Sequence, residues 1–297
     1  MDGSVTSLPA WAMAQVADVL PAYLRSRPDD WPFAAAGDDP AAFLSRFRLV
    51  TPDDGQAALF TGYYEPVLAA RLSPEGPFQT PLYALPADPH VPHAAITAGA
   101  LAGQGLEIAW VQDPVDAFFL QVQGSGRLDL GAGRSLRLGY AGKNGYPYRS
   151  LGKEMIARGL IPAAEMSAEA IRDWLAAHPD QVADLLHSNQ SFVYFKILDL
   201  GEDDGPIGTA GVPLTALRSL AVDPAHIPLG ALVLLETEID GHPVQRLMVA
   251  QDTGGVIKGA QRADIYFGTG DHAGLRAGAQ QASGRMRVLL PAMTGGA

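Results

Sequence analysis

The chain contains no cysteine. That excludes disulfides, thiolate catalysis and cysteine-ligated zinc, while leaving the compartment open. Basic residues are few: 21 lysines and arginines stand against 32 aspartates and glutamates, for a formal net charge of -11. Neutralising a phosphate backbone needs a basic face, so nucleic acid is not an expected partner. An anionic ligand would be repelled at long range and would have to be held by local contacts. There is no apolar run of the ~18–20 residues that a membrane span requires. Residues 1–9 also lack the basic start and apolar core of an export signal.

What is present is the composition of a folded protein. Of 297 residues, 47% are hydrophobic and 18% charged, enough for one large domain or two medium ones. An N-terminal helix is expected, capped by Ser7, with Pro9 in its first turn and Trp11, Val16, Val19 and Leu20 on its apolar face. ALFTGYYEPVL (58–68) reads as a strand leading into a turn at Pro66, and the proline-dense stretch 81–91 reads as a crossing between domains. Short apolar alternations at 107–110, 117–122 and 135–140 are separated by glycine-rich turns, which suggests a small barrel or sandwich. Helices are expected over 148–158, from Ser167 and after Pro179, and strands dominate again from Ser191. The organisation is therefore β, then a β-rich insert with some helices, then β.

The densest chemical signal is QDTGGVIKGAQRADIYFGTGD, residues 251–271. Asp252 closes an apolar strand, Asp264 opens the next, and Asp271 sits in a Gly-Thr-Gly-Asp turn. Glycines that allow tight turns can bring such aspartates onto one rim. Each aspartate alone fits ordinary turn chemistry as well. Lys258 lies inside the same segment and is a candidate for ligand contact or for lowering carboxylate pKa values. In FTGYYEPV (60–67), Tyr63 and Tyr64 could stack on sugar rings, or one could pack in the core. A third signal comes from QVQGSGRLDL (121–130) and YAGKNGYPYRSLGK (140–153). There Gln123, Ser125, Lys143 and Tyr148 suit a hydroxyl-rich or carboxylate-bearing ligand, with Arg149 as a further counter-charge; plain hairpin turns are the alternative. His90 and His93 have HxxH spacing but no third ligand nearby, so solvent exposure rather than metal binding is expected. No cofactor or metal is called for.

The segment DTGGVIKGAQRADIYFGTGD resembles the three-aspartate signature near the C-terminus of the membrane-bound lytic murein transglycosylase A family. FTGYYEPVL, FFLQVQGSGRLDL, YAGKNGYPYRSLGKEMIARG and NQSFVYFKI resemble its other segments in the same order, between residues 60 and 290. The resemblance implies a mainly β fold with some helices. It comprises a double-psi β-barrel built from both chain ends (1–82 and 192–297) and an inserted, smaller β-barrel-like domain (83–191), with a substrate groove between them. It implies a peptidoglycan lytic exotransglycosylase, a non-hydrolytic lyase that cleaves the β-1,4 bond between N-acetylmuramic acid and N-acetylglucosamine and leaves 1,6-anhydromuramic acid ends. Asp264 matches the family's catalytic aspartate, and Asp252 and Asp271 match its companions.

Peptidoglycan strands would be the partner, with cell-wall synthesis proteins as further candidates. A periplasmic, outer-membrane-associated location would follow, through an anchor that this chain does not carry. Asp264 must start protonated to act as an acid, and a neighbouring carboxylate such as Asp252 would favour that form. Three other readings stay open on the residues alone: a dimeric aspartic protease using Asp252-Thr253-Gly254, a non-catalytic wall-binding protein, and a water-using muramidase.

Overall fold

The structure, a computed structural model, describes residues 8–35 and 37–292. In chain order its strands are β1 (Phe47–Val50), β2 (Leu59–Glu65), β3 (Val67–Arg71), β4 (Thr80–Tyr83), β5 (Glu107–Val111), β6 (Gly126–Gly131) and β7 (Arg134–Lys143), followed by β8 (Val193–Leu198), β9 (Ser219–Val222), β10 (Leu232–Ile239), β11 (His242–Thr253), β12 (Arg262–Thr269), β13 (Gln281–Ala282) and β14 (Gly284–Pro291). They form two sheets in a chain that divides into two compact units. The fold is sheet-dominated with helices, as expected.

The first unit comprises Met1–Tyr64, Ile207–Gly268 and Leu275–Ala297. It is built on an eight-stranded sheet of order β1-β14-β10-β11-β9-β12-β2-β13. Most neighbours are antiparallel, but β9 runs parallel to β11 and antiparallel to β12. The expected N-terminal helix exists in two pieces, Ala10–Ala14 and Val16–Ser26. Pro9 precedes the first piece as its cap rather than lying inside its first turn, and Ser7 lies outside the described residues. Val16, Val19, Leu20 and Tyr23 follow the i, i+3, i+4, i+7 spacing of one helix face. That face is buried against Leu232, Leu234, Leu247, Val249 and Leu289 of the sheet. Gln251 fastens the same helix. Its Nε2 donates to the Ala22 carbonyl and to Ser26 Oγ, both at 2.9 Å, while its Oε1 accepts from Ser219 Oγ at 2.5 Å.

The second unit comprises Glu65–Pro206 and Thr269–Gly274. Its six-stranded sheet has the order β4-β5-β3-β6-β7-β8. The sequence reading put the insert at 83–191. The units instead divide at Tyr64/Glu65 and Pro206/Ile207, and residues 269–274 return to the second. The physical reason is pairing: β3, β4 and β8, outside the expected limits, hydrogen-bond into the insert's sheet. The proline-dense stretch begins inside β4 rather than in a linker.

A second correction concerns 117–122, read as a strand. It lies in helix Pro114–Gln123. Asp113 caps this helix by accepting from Val115 N at 2.8 Å, Pro114 opens it, and Gly124, at φ 77°, ends it. These start and stop residues outweigh a short apolar run whose period is ambiguous. The helix packs with Leu151–Ala157, Ala168–Ala177 and Val182–Ser188 around Phe118, Met155, Leu175 and Leu185.

The electrostatic centre of the second unit is Glu65, which is fully buried. Arg137 donates to its Oε1 from Nε at 3.2 Å and from Nη2 at 3.0 Å, and Thr269 Oγ1 donates to Oε2 at 2.8 Å. Arg127 Nη2 lies 3.6 Å from Oε2. Arg137 also donates to the carbonyls of Gly201 and Asp204, so the guanidinium is enclosed by acceptors. Truncating one member of such a pair leaves an uncompensated buried charge. Glu65→Ala is therefore expected to lower stability by about 3–5 kcal/mol, read as a shifted urea midpoint. An unchanged midpoint would contradict this account.

Candidate active site

Both central aspartates are positioned by β9. Asp252 of β11 and Asp264 of β12 are each in register with Ala221 of β9, on its two sides. Residues paired in this way point to the same face, and two strand spacings put their Cα atoms about 10 Å apart. Only a methyl group stands between them. The pairing of β11 with β9 slips between Ala250 and Asp252. Gln251 is the extra residue of this bulge, and a bulge re-aims the side chains beside it.

Asp252 is held by the loop before β9. Its Oδ1 accepts from Thr209 N, Thr209 Oγ1 and Thr253 N, each at 2.9 Å. The approach is tight at Gly208, where an added Cβ would lie 2.6 Å from the Gln251 carbonyl oxygen and 2.7 Å from Leu214. Burial pushes the Asp252 carboxyl above the usual carboxylate range, against the lowering effect of these donors.

Asp264 has 17% of its side chain exposed. Its Oδ1 accepts from the Thr61 hydroxyl and from Arg262 Nη1, and Arg262 Nη2 donates to Thr61 Oγ1 at 3.0 Å. The three side chains form a closed triangle. Arg262 is itself fixed by the Ala263 carbonyl at 2.8 Å.

Tyr63 joins the same site. Its ring leans on Tyr266, with centroids 5.4 Å apart. The ring is half-buried, while its hydroxyl is shut off from solvent beside Asp252. Burial and then the nearby charge of Asp252, with Asp264 adding to it, push the phenol well above its ordinary pKa. The tyrosine expected to stack on sugars thus turns its polar tip towards the aspartates. Gly62, next to it, allows this packing: a Cβ there would lie 2.7 Å from Phe267 Cε2 and 2.8 Å from Ala277 Cα.

The remaining sequence candidates are placed elsewhere. Lys258 is exposed and its Nζ lies 3.5 Å from Asp223 Oδ1, so it pairs outside the aspartate pair. Asp223 is held below the usual carboxylate range mainly by the Gly259 N–H. Asp271 belongs to the second unit. It opens helix Asp271–Ala279 rather than sitting in an isolated turn, and it is exposed. A carboxylate in a first turn suits the helix dipole. Tyr64 is half-buried on β2. Gln123, Ser125, Lys143 and Tyr148 all lie in the second unit, with Lys143 and Tyr148 exposed.

His93 is not solvent-exposed as expected. It is 3% exposed, with Nδ1 3.0 Å from the Asn189 carbonyl oxygen and its ring stacked on Phe118. Burial lowers its pKa.

Thr61, Arg262 and Thr209 went unmarked in the sequence. Thr61 and Arg262 carried a signal, since each lies two residues from a marked one, Tyr63 and Asp264, on the same strand face. Thr209 carried none, because it reaches Asp252 across 43 residues of sequence.

Two family models match the chain: the MltA specific insert domain over residues 59–196 and the 3D domain over residues 218–290. The membrane-bound lytic murein transglycosylase A of Escherichia coli (strain K12) is 43% identical over 261 residues, covering 84% of this chain and 70% of that protein. The chain belongs to the membrane-bound lytic murein transglycosylase A family. A second relative, the transglycosylase A of Vibrio cholerae, is 40% identical over 78% of the chain, and the match spans 65% of its own length. Among solved structures, E. coli MltA with bound chitohexaose is 36% identical, with a TM-score of 0.78 over 94% of this chain and 84% of that one. In this transglycosylase A family member, Asp252 and Asp264 both fall within the 3D domain match, and Tyr63 falls within the insert-domain match.

The charge on Asp252 has a testable cost. Its folded-state pKa is raised, so ionisation opposes folding above the ordinary carboxylate range and not below it. Asp252→Asn keeps the oxygen that Thr209 and Thr253 donate to. At pH 7 the variant should melt no lower than the native family member. Any gain should shrink as pH falls towards ~4, where the native carboxyl becomes neutral. A variant several degrees less stable at pH 7, with the gap unchanged in acid, would contradict the assignment.

Proposed function

We propose that this chain cleaves peptidoglycan as a lytic transglycosylase, with Asp264 as its only acid/base. The observation that carries the reading is the setting of Asp264: partly accessible, level with Asp252 across the methyl of Ala221, and inside the matched 3D domain. Asp264 donates its proton to the glycosidic oxygen between N-acetylmuramic acid and N-acetylglucosamine, and the C1–O bond breaks. The C6 hydroxyl oxygen of the muramic residue then bonds to C1, and its proton returns to Asp264. No water is consumed, and the product carries a 1,6-anhydro ring. Because the nucleophile is part of the substrate, correct orientation supplies much of the rate. Asp252 is the negative charge that stabilises the oxocarbenium-like transition state.

Tyr64, Gln123, Ser125, Lys143, Tyr148 and Lys258 remain candidate substrate contacts, and Asp271 remains the third candidate catalytic aspartate. Lys143 and Tyr148, being exposed, suit peptide-stem carboxylates and sugar rings. The chitohexaose in the E. coli relative supports a glycan strand as ligand. In architecture, we read the first unit as a double-psi barrel. The support is β9, which lies between β11 and β12 and runs parallel to β11. A barrel-like insert is supported by the bridge Ala84–Phe195, which links a residue just past β4 to β8 at the two ends of the six-stranded order. A periplasmic, outer-membrane-associated location is supported by the relatives, whose names call them membrane-bound. Among the described residues no helix is long and apolar enough to cross a membrane.

The test is mass spectrometry of products released from purified sacculi. The native protein should release anhydromuropeptides, and folded Asp264→Asn should release them at least about 10²-fold more slowly. Undiminished release by Asp264→Asn would end the reading. Reducing ends in place of anhydro ends would replace it with hydrolysis.

A further inference from the structure

Asp264 must hand over a proton and take it back, so it matters which of its oxygens carries it. Oδ1 accepts two donors, the Thr61 hydroxyl and Arg262 Nη1. A proton on that oxygen would compete with both donors for its lone pairs. Arg262 cannot turn its donors off, since guanidinium has no acceptor and stays charged in proteins. Thr61 Oγ1 accepts from Arg262 Nη2 at 3.0 Å while its own hydrogen is donated to Asp264 Oδ1. Arg262 thus donates to both other members of the triangle. Oδ2 accepts no hydrogen bond among the described residues.

The triangle is held rigidly. Arg262 is 16% exposed in its side chain and is anchored to the Ala263 carbonyl at 2.8 Å. Its strand β12 adjoins β2, which carries Thr61. A guanidinium that donates from Nη1 to Asp264 and from Nη2 to Thr61 fixes geometry as well as charge.

We propose that Arg262 and Thr61 are positioning residues that lock Oδ1 of Asp264 and so reserve Oδ2 as the single atom that gives and regains the proton. This rests on the assignment of Asp264 as acid/base. With one oxygen tied down, the carboxyl cannot rotate between donating to the leaving oxygen and accepting from the C6 hydroxyl. The same atom serves both steps, and the substrate is bound to present both oxygens to it in turn. The proton lost by Oδ2 in the first step is the one restored by the C6 hydroxyl in the second, so the cycle closes without a co-reactant.

The experiment measures turnover and KM on soluble, peptide-free glycan strands for Arg262→Gln, Arg262→Lys, Thr61→Val and Thr61→Ser, with a thermal melt of each. Asp264→Asn serves as the reference. Arg262→Gln and Thr61→Val are expected to lower kcat by about 10–100-fold, the scale for a misplaced proton-transfer group, with KM within about threefold of native. Thr61→Ser restores the hydroxyl and should recover most of what Thr61→Val loses. Arg262→Lys keeps the charge but not the fork, and should fall between native and Arg262→Gln.

A purely structural role would lower the melting temperature and leave kcat of the folded fraction intact. That result would overturn the proposal, as would a loss confined to KM, or a Thr61→Ser variant as impaired as Thr61→Val. Thr61→Val is nearly isosteric, so it provides the decision if Arg262→Gln does not fold. An active Asp264→Asn would instead remove the underlying acid/base assignment. An inert Asp264→Asn beside native-like Arg262→Gln and Thr61→Val would remove only the positioning role.

Discussion

Strand β9 is four residues long and buried throughout, and both aspartate-bearing strands hydrogen-bond to it. That double pairing is the constraint on which the site depends. A strand register is discrete, and a slip of one residue turns every side chain to the opposite face. With Ala221 as the common partner, Asp252 and Asp264 either both face the site or neither does. The small residue between them leaves the space that the Tyr63 hydroxyl approaches, with the charges of both carboxylates bearing on it. The bulge at Gln251 completes the arrangement by spending one residue on the helix anchor, so that the next is free to face the site.

The two carboxylates differ in their surroundings. Asp252 accepts from Thr209 and Thr253, with the Tyr63 hydroxyl also bearing on it, and burial dominates its ionisation. Asp264 meets a guanidinium. In the second unit Glu65 is paired more completely still, with Arg137 and Arg127 beside it and Thr269 donating. Three acidic residues thus occupy three electrostatic settings. Burial favours the neutral form of Asp252, whereas the guanidinium beside Asp264 favours its ionised form. The closed ion pair of Glu65 serves to specify structure.

Much of this was legible in the sequence because it is local. The strands that carry the tyrosine pair and the aspartates, and the helices at Ser167 and after Pro179, follow from short-range patterns, although Asp252 and Asp264 lie just inside β11 and β12 rather than at their ends. The helix Pro114–Gln123 was marked by Asp113, Pro114 and Gly124, and the reading erred by giving more weight to a run of apolar residues. The domain limits were not legible. They depend on which sheet β3, β4 and β8 join, and pairing across long stretches of chain leaves no local trace. Thr209 was hidden for the same reason. Arg262 was hidden for a different one: a charged residue beside glycines and a glutamine looks like loop surface, and only the strand period reveals that it shares a face with Asp264. His93 shows that a proline-rich neighbourhood does not fix exposure, since its ring is enclosed by Phe118, His187 and Phe192.

The anchor made by Gln251 also bears on the order in which the molecule comes together. Its partner Ala22 lies 229 residues earlier in the chain. Contacts so distant in sequence form late, because a large loop must close before they contribute. Phe43 and Phe47 follow the helix Val16–Ser26 closely in the chain and pack on its Tyr23, yet Leu232, Leu234, Leu247, Val249 and Leu289, which cover the rest of its apolar face, lie from 232 onward. Glu65–Pro206, by contrast, is continuous and holds all six strands of its own sheet. The inserted unit can thus reach most of its structure while the first unit still waits for its later half. Until then part of the helix's apolar face stays uncovered, and that interval is when the nascent chain most needs protection from aggregation.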